Sequence, residues 1–434
     1  MKRQDLGLFE LIAIALGGMI GGGIFSILGV ATEQVGSAAA VAVSIGGGLA
    51  FLAAYSYAKL ARYYEDEGAT YSFFKRTFPN SHFAAAAIGW LVVFGYIATL
   101  ALYAFTFASY LASLFPGADT RALHLAFSAA VIAAFTILNI VSVKGMGRVE
   151  DLLVYTKLVA LVIVALVLFR TGDASRALPV FEVHTRLPAL LVVASITFVA
   201  FEGFQLAIHA YSEARDARTN VPRAIYISVA IATLLYVLIA EGALFAIPHD
   251  QIVEDKEYAL AAGASGVLGS WGLGLVIAGA LLATSSAISG TLFGASRLMA
   301  VIADDGYLPR ACARRIHGNT PVWALVALAA LSYLLVLTGG LELILEFGSL
   351  TFILVSFLMA VANLRLRDET NSHVLATSAA LVGLGGAGAL VIWFQLTTDP
   401  FHLWTTLSLY ALIALLAGGY ARLGARRAAP TENG

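Results

Sequence analysis

The chain has 434 residues, of which 60% are hydrophobic and only 12% charged, with a formal net charge of −1. A soluble domain carries roughly 25% charged residues, so the polar side chains here are too few to clothe a water-exposed surface, and the apolar ones must face lipid. One cysteine, Cys312, excludes an internal disulfide and a cysteine-based metal site, and the absence of a G-x-x-x-x-G-K-[ST] loop argues against ATP-driven pumping.

A helix needs about 20 apolar residues to cross the hydrocarbon core. On that basis twelve spans are predicted, near 8–32, 38–61, 84–114, 122–142, 150–169, 188–211, 222–247, 270–302, 322–338, 341–364, 374–396 and 402–423. The apolar run from Leu6 to Ala31 follows Lys2 and Arg3, but it is too long for a signal-peptide core and lacks an A-x-A site, so it reads as a retained first span. Spans 9 and 10 are separated only by Gly339-Gly340. No polar segment between spans is long enough for a soluble catalytic or nucleotide-binding domain. Of the 26 Lys and Arg residues, twenty fall at one set of span ends, and five (Arg121, Arg170, Arg176, Arg186 and Lys256) fall at the other. That bias predicts that both termini are cytoplasmic, in a multi-pass protein with an even number of spans. Lys157 belongs to neither side.

The first span holds Gly17-Gly18-Met19-Ile20-Gly21-Gly22-Gly23, five glycines in seven positions. Glycine costs about 1 kcal/mol relative to alanine inside a helix, and broken backbone at membrane depth survives only where it lines a cavity or is buried in protein. Unwinding would free the amides of Gly22 and Gly23 at the positive end of the following half-helix, which suits a carboxylate. Carbonyls on the other side of the break would suit an ammonium. Close helix packing through small residues explains the same spacing, and glycine content alone does not separate the two readings.

In the fifth span, Lys157 lies six residues past Asp151, roughly 9 Å inward at 1.5 Å per residue. It either snorkels back to the cytoplasmic surface or serves a buried site. The sixth span carries Val199-Ala200-Phe201-Glu202-Gly203-Phe204-Gln205 near its middle. An acidic residue at mid-helix costs about 2.5–3.5 kcal/mol on insertion scales, so Glu202 is either functional or bonded within a second break. Breaks in the first and sixth spans match the arrangement of transporters built from inverted repeats of five spans. In the eighth span, Ser285 and Ser289 of Thr284-Ser285-Ser286-Ala287-Ile288-Ser289 share a helical face; serine also packs well between membrane helices.

The run Gly17 to Phe25 resembles the G-x-x-I-G-x-G-I-F signature of the amino acid–polyamine–organocation transporter superfamily. Further likenesses are Phe201-Glu202-Gly203-Phe204, Asn220-Val221-Pro222-Arg223-Ala224-Ile225, the serine-rich eighth span and Ala303-Asp304-Asp305-Gly306-Tyr307-Leu308-Pro309. The nearest likeness is to proton-coupled, broad-specificity amino acid transporters of prokaryotes. The resemblance implies an all-α, leucine-transporter-like fold, with repeats over 1–169 and 170–364 and peripheral spans over 365–434. It implies that a substrate carboxylate meets Gly22 and Gly23 within the run Met19, Ile20, Gly21, Gly22, Gly23. The ammonium would meet carbonyls near Met19, Val199 and Glu202, beside Gly203, with Phe201 as a lid. One departure stands out: many members carry an acidic residue where this chain has Gln205.

The resemblance also implies that the Lys157 ammonium replaces the sodium ion of sodium-coupled relatives, near the carbonyls of Gly17 and Ile20 and the hydroxyls of Ser285, Ser286 and Ser289. A lysine follows a G-R-x-E run in the proton-coupled members, here Gly147-Arg148-Val149-Glu150. Coupling requires the amine to shed and regain its proton, and buried lysines do so near neutral pH. The expected function is therefore uptake of L-α-amino acids by alternating access, coupled to protons, in the cell membrane. No metal, cofactor or nucleic acid is expected. A polyamine or cationic-amine transporter anchored by Glu202, and an exchanger, are alternatives. A passive channel or non-transporting sensor is another class, but no T-V-G-Y-G-type filter is present and a channel has no need of paired breaks. Glu10 reads as a helix-start residue, Glu241 as a possible outer-vestibule residue, His209 as an interface histidine, and Trp90, Trp271, Trp323 and Trp404 as interface anchors.

Overall fold

The computed structural model describes residues 6–115, 120–141, 143–181, 186–255, 258–316 and 320–428, without the side chains of 120, 143–153, 265–268 and 424–428. Lys2, Arg3 and Lys256 of the orientation argument lie outside the described residues, as do the side chains of Lys144, Arg148, Glu150, Asp151, Arg426 and Arg427. Among the described residues the regular structure is helical, with two isolated β-bridges.

In chain order the helices are α1 (Leu8–Met19), α2 (Gly23–Val35), α3 (Ala39–Tyr64), α4 (Ala69–Thr77), α5 (His82–Ala112), α6 (Thr120–Val141), α7 (Val143–Thr171), α8 (Leu187–Ile196) and α9 (Leu206–His209). They continue with α10 (Ala217–Ala246), α11 (His249–Glu254), α12 (Ala259–Asp304), α13 (Val322–Thr338), α14 (Leu341–Arg365), α15 (Arg367–Thr370), α16 (Val374–Thr398) and α17 (Pro400–Ala428). The twelve expected spans map onto α1–α2, α3, α5, α6, α7, α8–α9, α10, α12, α13, α14, α16 and α17. Ten stretches among the described residues are long and apolar enough to cross a membrane, and α1 and α13 are shorter apolar helices.

Depth within the bundle follows packing partners rather than hydropathy. The apolar window of α5 is 94% buried, whereas those of α16 and α17 are 28% and 22% buried. The third span is therefore a central post, and the last two lie at the periphery. Trp90 on α5 is correspondingly buried against Phe94 and Tyr420, which corrects its assignment as an interface anchor. Trp271, Trp323 and Trp404 are exposed, as an anchor requires.

A short helix, α4, was not anticipated. Asp66 caps its start, accepting bonds from Gly68 N at 2.9 Å and Ser72 Oγ at 2.7 Å, with the Arg76 guanidinium at 3.1 Å. Burial opposes ionisation of Asp66, but these bonds outweigh it and hold its carboxyl below the usual carboxylate range. The far side of α4 docks on the Ala303–Pro309 motif, where Tyr71 donates to Asp305 at 2.7 Å and Lys75 pairs with Asp305 at 2.7 Å; at the start of α5, His82 Nδ1 meets Tyr307 Oη at 2.8 Å. Gly306, at φ 87°, makes the turn that presents both side chains. At the chain's start, Glu10 accepts the Gly7 amide at 2.9 Å, as a helix-start residue does.

Candidate functional site where two broken spans meet

The first break begins after Met19, where Ile20 leaves helical geometry at φ −85° and ψ 81°, and ends at Gly22, the N-cap of α2. The second replaces helix with a 3-10 turn over Thr197–Phe201, an extended Glu202 and Gly203 at φ 123°. A Cβ on Gly203 would stand 2.5 Å from Gly18 C and Met19 N, so the two interruptions touch backbone to backbone. A Cβ would also stand 2.4 Å from Leu206 Cδ1 at Gly18, 2.5 Å from the Tyr103 ring at Gly21, 2.6 Å from Thr106 Oγ1 at Gly22, and 2.6 Å from Ala200 Cβ at Gly23. The glycine run thus both interrupts the helix and packs closely. These residues unwind the helix, and their lack of side chains lets the unwound segments meet.

Gly22 and Gly23 open α2, so their amides lie at the positive end of a helix without intrahelical acceptors. The carbonyls are distributed among phenols. Met19 O accepts Tyr236 Oη at 2.7 Å, Ala200 O accepts the same hydroxyl at 3.0 Å, and Gly18 O accepts Tyr103 Oη at 3.1 Å. Val199 O accepts the Glu202 amide at 3.2 Å, while Val199 N donates to Ser349 Oγ at 3.1 Å. Phe201 is buried with its ring 5.3 Å from that of Tyr236.

The Glu202 carboxylate accepts a hydrogen bond from Gln205 Nε2, and Gln205 Oε1 accepts the Gly203 amide at 3.2 Å. Gln205 thus explains the departure at its position: an amide there braces the break and holds the carboxylate three residues earlier. Glu202 still lines a narrow cavity of about 20 Å³, together with Gly18, Tyr96, Tyr103, Gly290 and Phe352. That is room for about one water, so a substrate needs the breaks to part further.

Lys157 does not snorkel. Its side chain is fully buried, and Nζ donates to Gly17 O at 2.8 Å, Ile20 O at 2.6 Å and Ser286 Oγ at 2.8 Å. Three donors meet three acceptors. The two carbonyls are products of the break: in a continuous helix they would accept from Gly21 and Ile24, but Gly21 N turns to Met19 O at 3.0 Å. Ser286 lies one residue round from the face shared by Ser285 and Ser289. Ser289 is buried on the same helix and Ser285 half-buried. His209 Nδ1 donates to Glu67 O at 2.8 Å, an interface contact beyond the break, and Glu241 is half-buried on α10.

Residues 6–418 match the family described as amino acid permease. The chain belongs to that family. Among its relatives, the inner membrane transport protein YbaT of Escherichia coli is 28% identical over 86% of each chain. The branched-chain amino acid permease BcaP of Bacillus subtilis is 24% identical over 84% of this chain and 82% of its own. The vacuolar cationic amino acid transporter 4 of Arabidopsis thaliana is 26% identical over 84% of this chain and 63% of its own. Family membership agrees with the superfamily resemblance read from the glycine run and with the multi-pass helical fold.

Within this permease, sequence reasoning missed Tyr103, Tyr236 and Ser349. Tyr236 did leave a signal, because it stands alone in the apolar run Ile231–Ala240 of α10 apart from Thr233. A phenol at mid-span needs a hydrogen-bond partner, and the unwound carbonyls were the available ones.

Proposed function

We propose that this protein takes up L-α-amino acids by proton-coupled secondary transport, with alternating access around the meeting point of spans 1 and 6. The observation that carries the coupling is the buried Lys157 amine bonded to Gly17 O, Ile20 O and Ser286 Oγ. Three oxygens gathered by one broken span and α12 would suit a small cation, and a tethered ammonium fills that position with its own charge. Sodium is excluded, and the ion that cycles is the lysine's proton. The α-carboxylate takes the amides of Gly22 and Gly23, and the α-ammonium takes carbonyls of the facing breaks. The relatives' names differ in side chain, branched-chain in one and cationic in another, so the backbone moiety is the shared part, and it is what backbone groups recognise.

In this reading residues 1–169 and 170–364 are inverted repeats and 365–434 is peripheral. The protein lies in the cell membrane with both termini cytoplasmic. In proteoliposomes, uptake should follow an inward proton gradient and ignore sodium; sodium-dependent accumulation would sink the proposal. A thermal-shift screen names the substrate class, since a ligand at 100 times its Kd stabilises the folded state by about 2.7 kcal/mol.

Glu202 supports a second reading, in which substrates with a cationic side chain or amine are preferred, because its carboxylate lines the cavity. Glu202→Gln should then weaken lysine or putrescine binding at least tenfold, roughly 1.4 kcal/mol, while sparing leucine. Equal losses for both would remove this preference.

A further inference from the structure

Tyr236 joins the two breaks through one hydroxyl. Its oxygen lies 2.7 Å from Met19 O and 3.0 Å from Ala200 O, and the residue is 1% exposed. A phenol carries a single proton, so the two carbonyls share it. Met19 O has a second donor in Gly21 N at 3.0 Å. An ammonium, with three donors, would satisfy the same pair more fully. The hydroxyl thus occupies the position that the proposed chemistry gives to the substrate's α-ammonium, one carbonyl from each broken span.

We infer that Tyr236 stands in for the substrate ammonium when the carrier is empty, and that this substitution lets the unloaded protein close and return. The inference rests on the amino acid transport proposed above. The physical reason is the cost of burying an unpaired carbonyl away from water. A loaded carrier can close because the ammonium pairs with both carbonyls. An empty carrier without a substitute donor would leave Met19 O with Gly21 N alone and Ala200 O without this donor on every return, and it would turn over mainly by exchanging one substrate for another. With the phenol supplying the donor, the return step is available and net uptake follows. When substrate arrives, the ammonium takes the carbonyls in place of the phenol. Tyr236 is in this sense a positioning residue that selects net transport over exchange.

The test compares two modes of transport in one preparation. Full-length protein and its Tyr236→Phe variant are reconstituted in liposomes, with radiolabelled leucine and lysine as probes. Uptake is measured into empty vesicles and into vesicles preloaded with the same amino acid. The ratio of net uptake into empty vesicles to exchange should fall roughly tenfold in the variant, with exchange still measurable. Retained exchange also reports that the variant folds. A second readout is the melting temperature with and without substrate: the empty variant should lose more stability than the loaded one, so the ligand-induced shift becomes larger. Equal loss of both modes with an unchanged or smaller shift overturns the inference, and so does a variant with undiminished net uptake. Failure of the underlying reading is seen separately, in an unmodified protein that exchanges no amino acid, and the inference falls with it.

Discussion

Lys157→Met is expected to abolish proton-driven accumulation while leaving downhill exchange measurable. A one-unit inward pH gradient is worth about 1.4 kcal/mol per proton, which at one proton per substrate sustains up to about tenfold accumulation. The unmodified protein should approach that ratio, and the variant should stop near unity. Methionine fills a similar volume but brings no charge and no donor, so Gly17 O, Ile20 O and Ser286 Oγ lose the group that now pairs with them. Some destabilisation follows from that loss alone, and exchange flux serves as the control for folding. Lys157→Arg separates charge from titration. Its guanidinium keeps a positive charge that it does not shed in proteins, so it should bind substrate yet fail to concentrate it. Gradient-driven accumulation by either variant at the level of the unmodified protein would take Lys157 out of the coupling role.

Gly203→Ala should be among the most damaging single-methyl additions in the chain. The residue sits at φ 123°, a region closed to side chains, and a Cβ there would stand 2.5 Å from Gly18 C and Met19 N. Both neighbours are backbone atoms of the other break, so no side chain can swing away to make room. Strain and overpacking together should cost on the order of 3 kcal/mol or more, seen as a lower melting temperature in detergent and loss of uptake. Gly279→Ala is the internal comparison. A Cβ at that α12 position meets only Ala160 Cβ at 3.8 Å, and alanine is the better helix former by about 1 kcal/mol. That variant should melt at the same temperature or higher. If the two variants behave alike, the backbone contact between the breaks is not what holds the site together.

The legible part of this protein was carried by local features. Hydropathy marked the spans, because crossing the membrane demands a run of apolar residues whatever the neighbours are. The Gly339-Gly340 pair separated α13 from α14, because two adjacent glycines interrupt an apolar run locally. The interruptions at Gly21–Gly23 and at Gly203 were visible because glycine clusters and a mid-span carboxylate are costly wherever they occur. Lys157 attracted attention for the same reason: a basic residue belonging to neither membrane face must either snorkel to the surface or find partners inside. What it would bond to came from the family resemblance, and Gly17 and Ile20 are indeed the carbonyls that it meets.

Rotation and partner choice were not legible. Each residue turns an α-helix by about 100°, so an uncertainty of one position in a span moves a side chain to another face. The amine reaches Ser286, one of the three hydroxyls that the resemblance implied, although the helical face that stood out in sequence was that of Ser285 and Ser289. Trp90 is buried for a similar reason: its helix is a central post surrounded by other spans, which composition does not reveal.

The sequence by itself determined that this chain crosses the membrane many times, that its first and sixth spans carry costly glycines, and that an amine and a carboxylate lie within its apolar spans. Each follows from the free energy of a residue in lipid or in a helix, which needs no knowledge of partners. Only the tertiary structure decided that the two breaks lie backbone to backbone, that Lys157 pairs with the carbonyls that unwinding releases, and that Tyr236 bridges Met19 and Ala200. Those contacts join residues from 36 to 217 positions apart, and they exist because packing brings orphaned carbonyls within reach of buried donors that have no water to turn to.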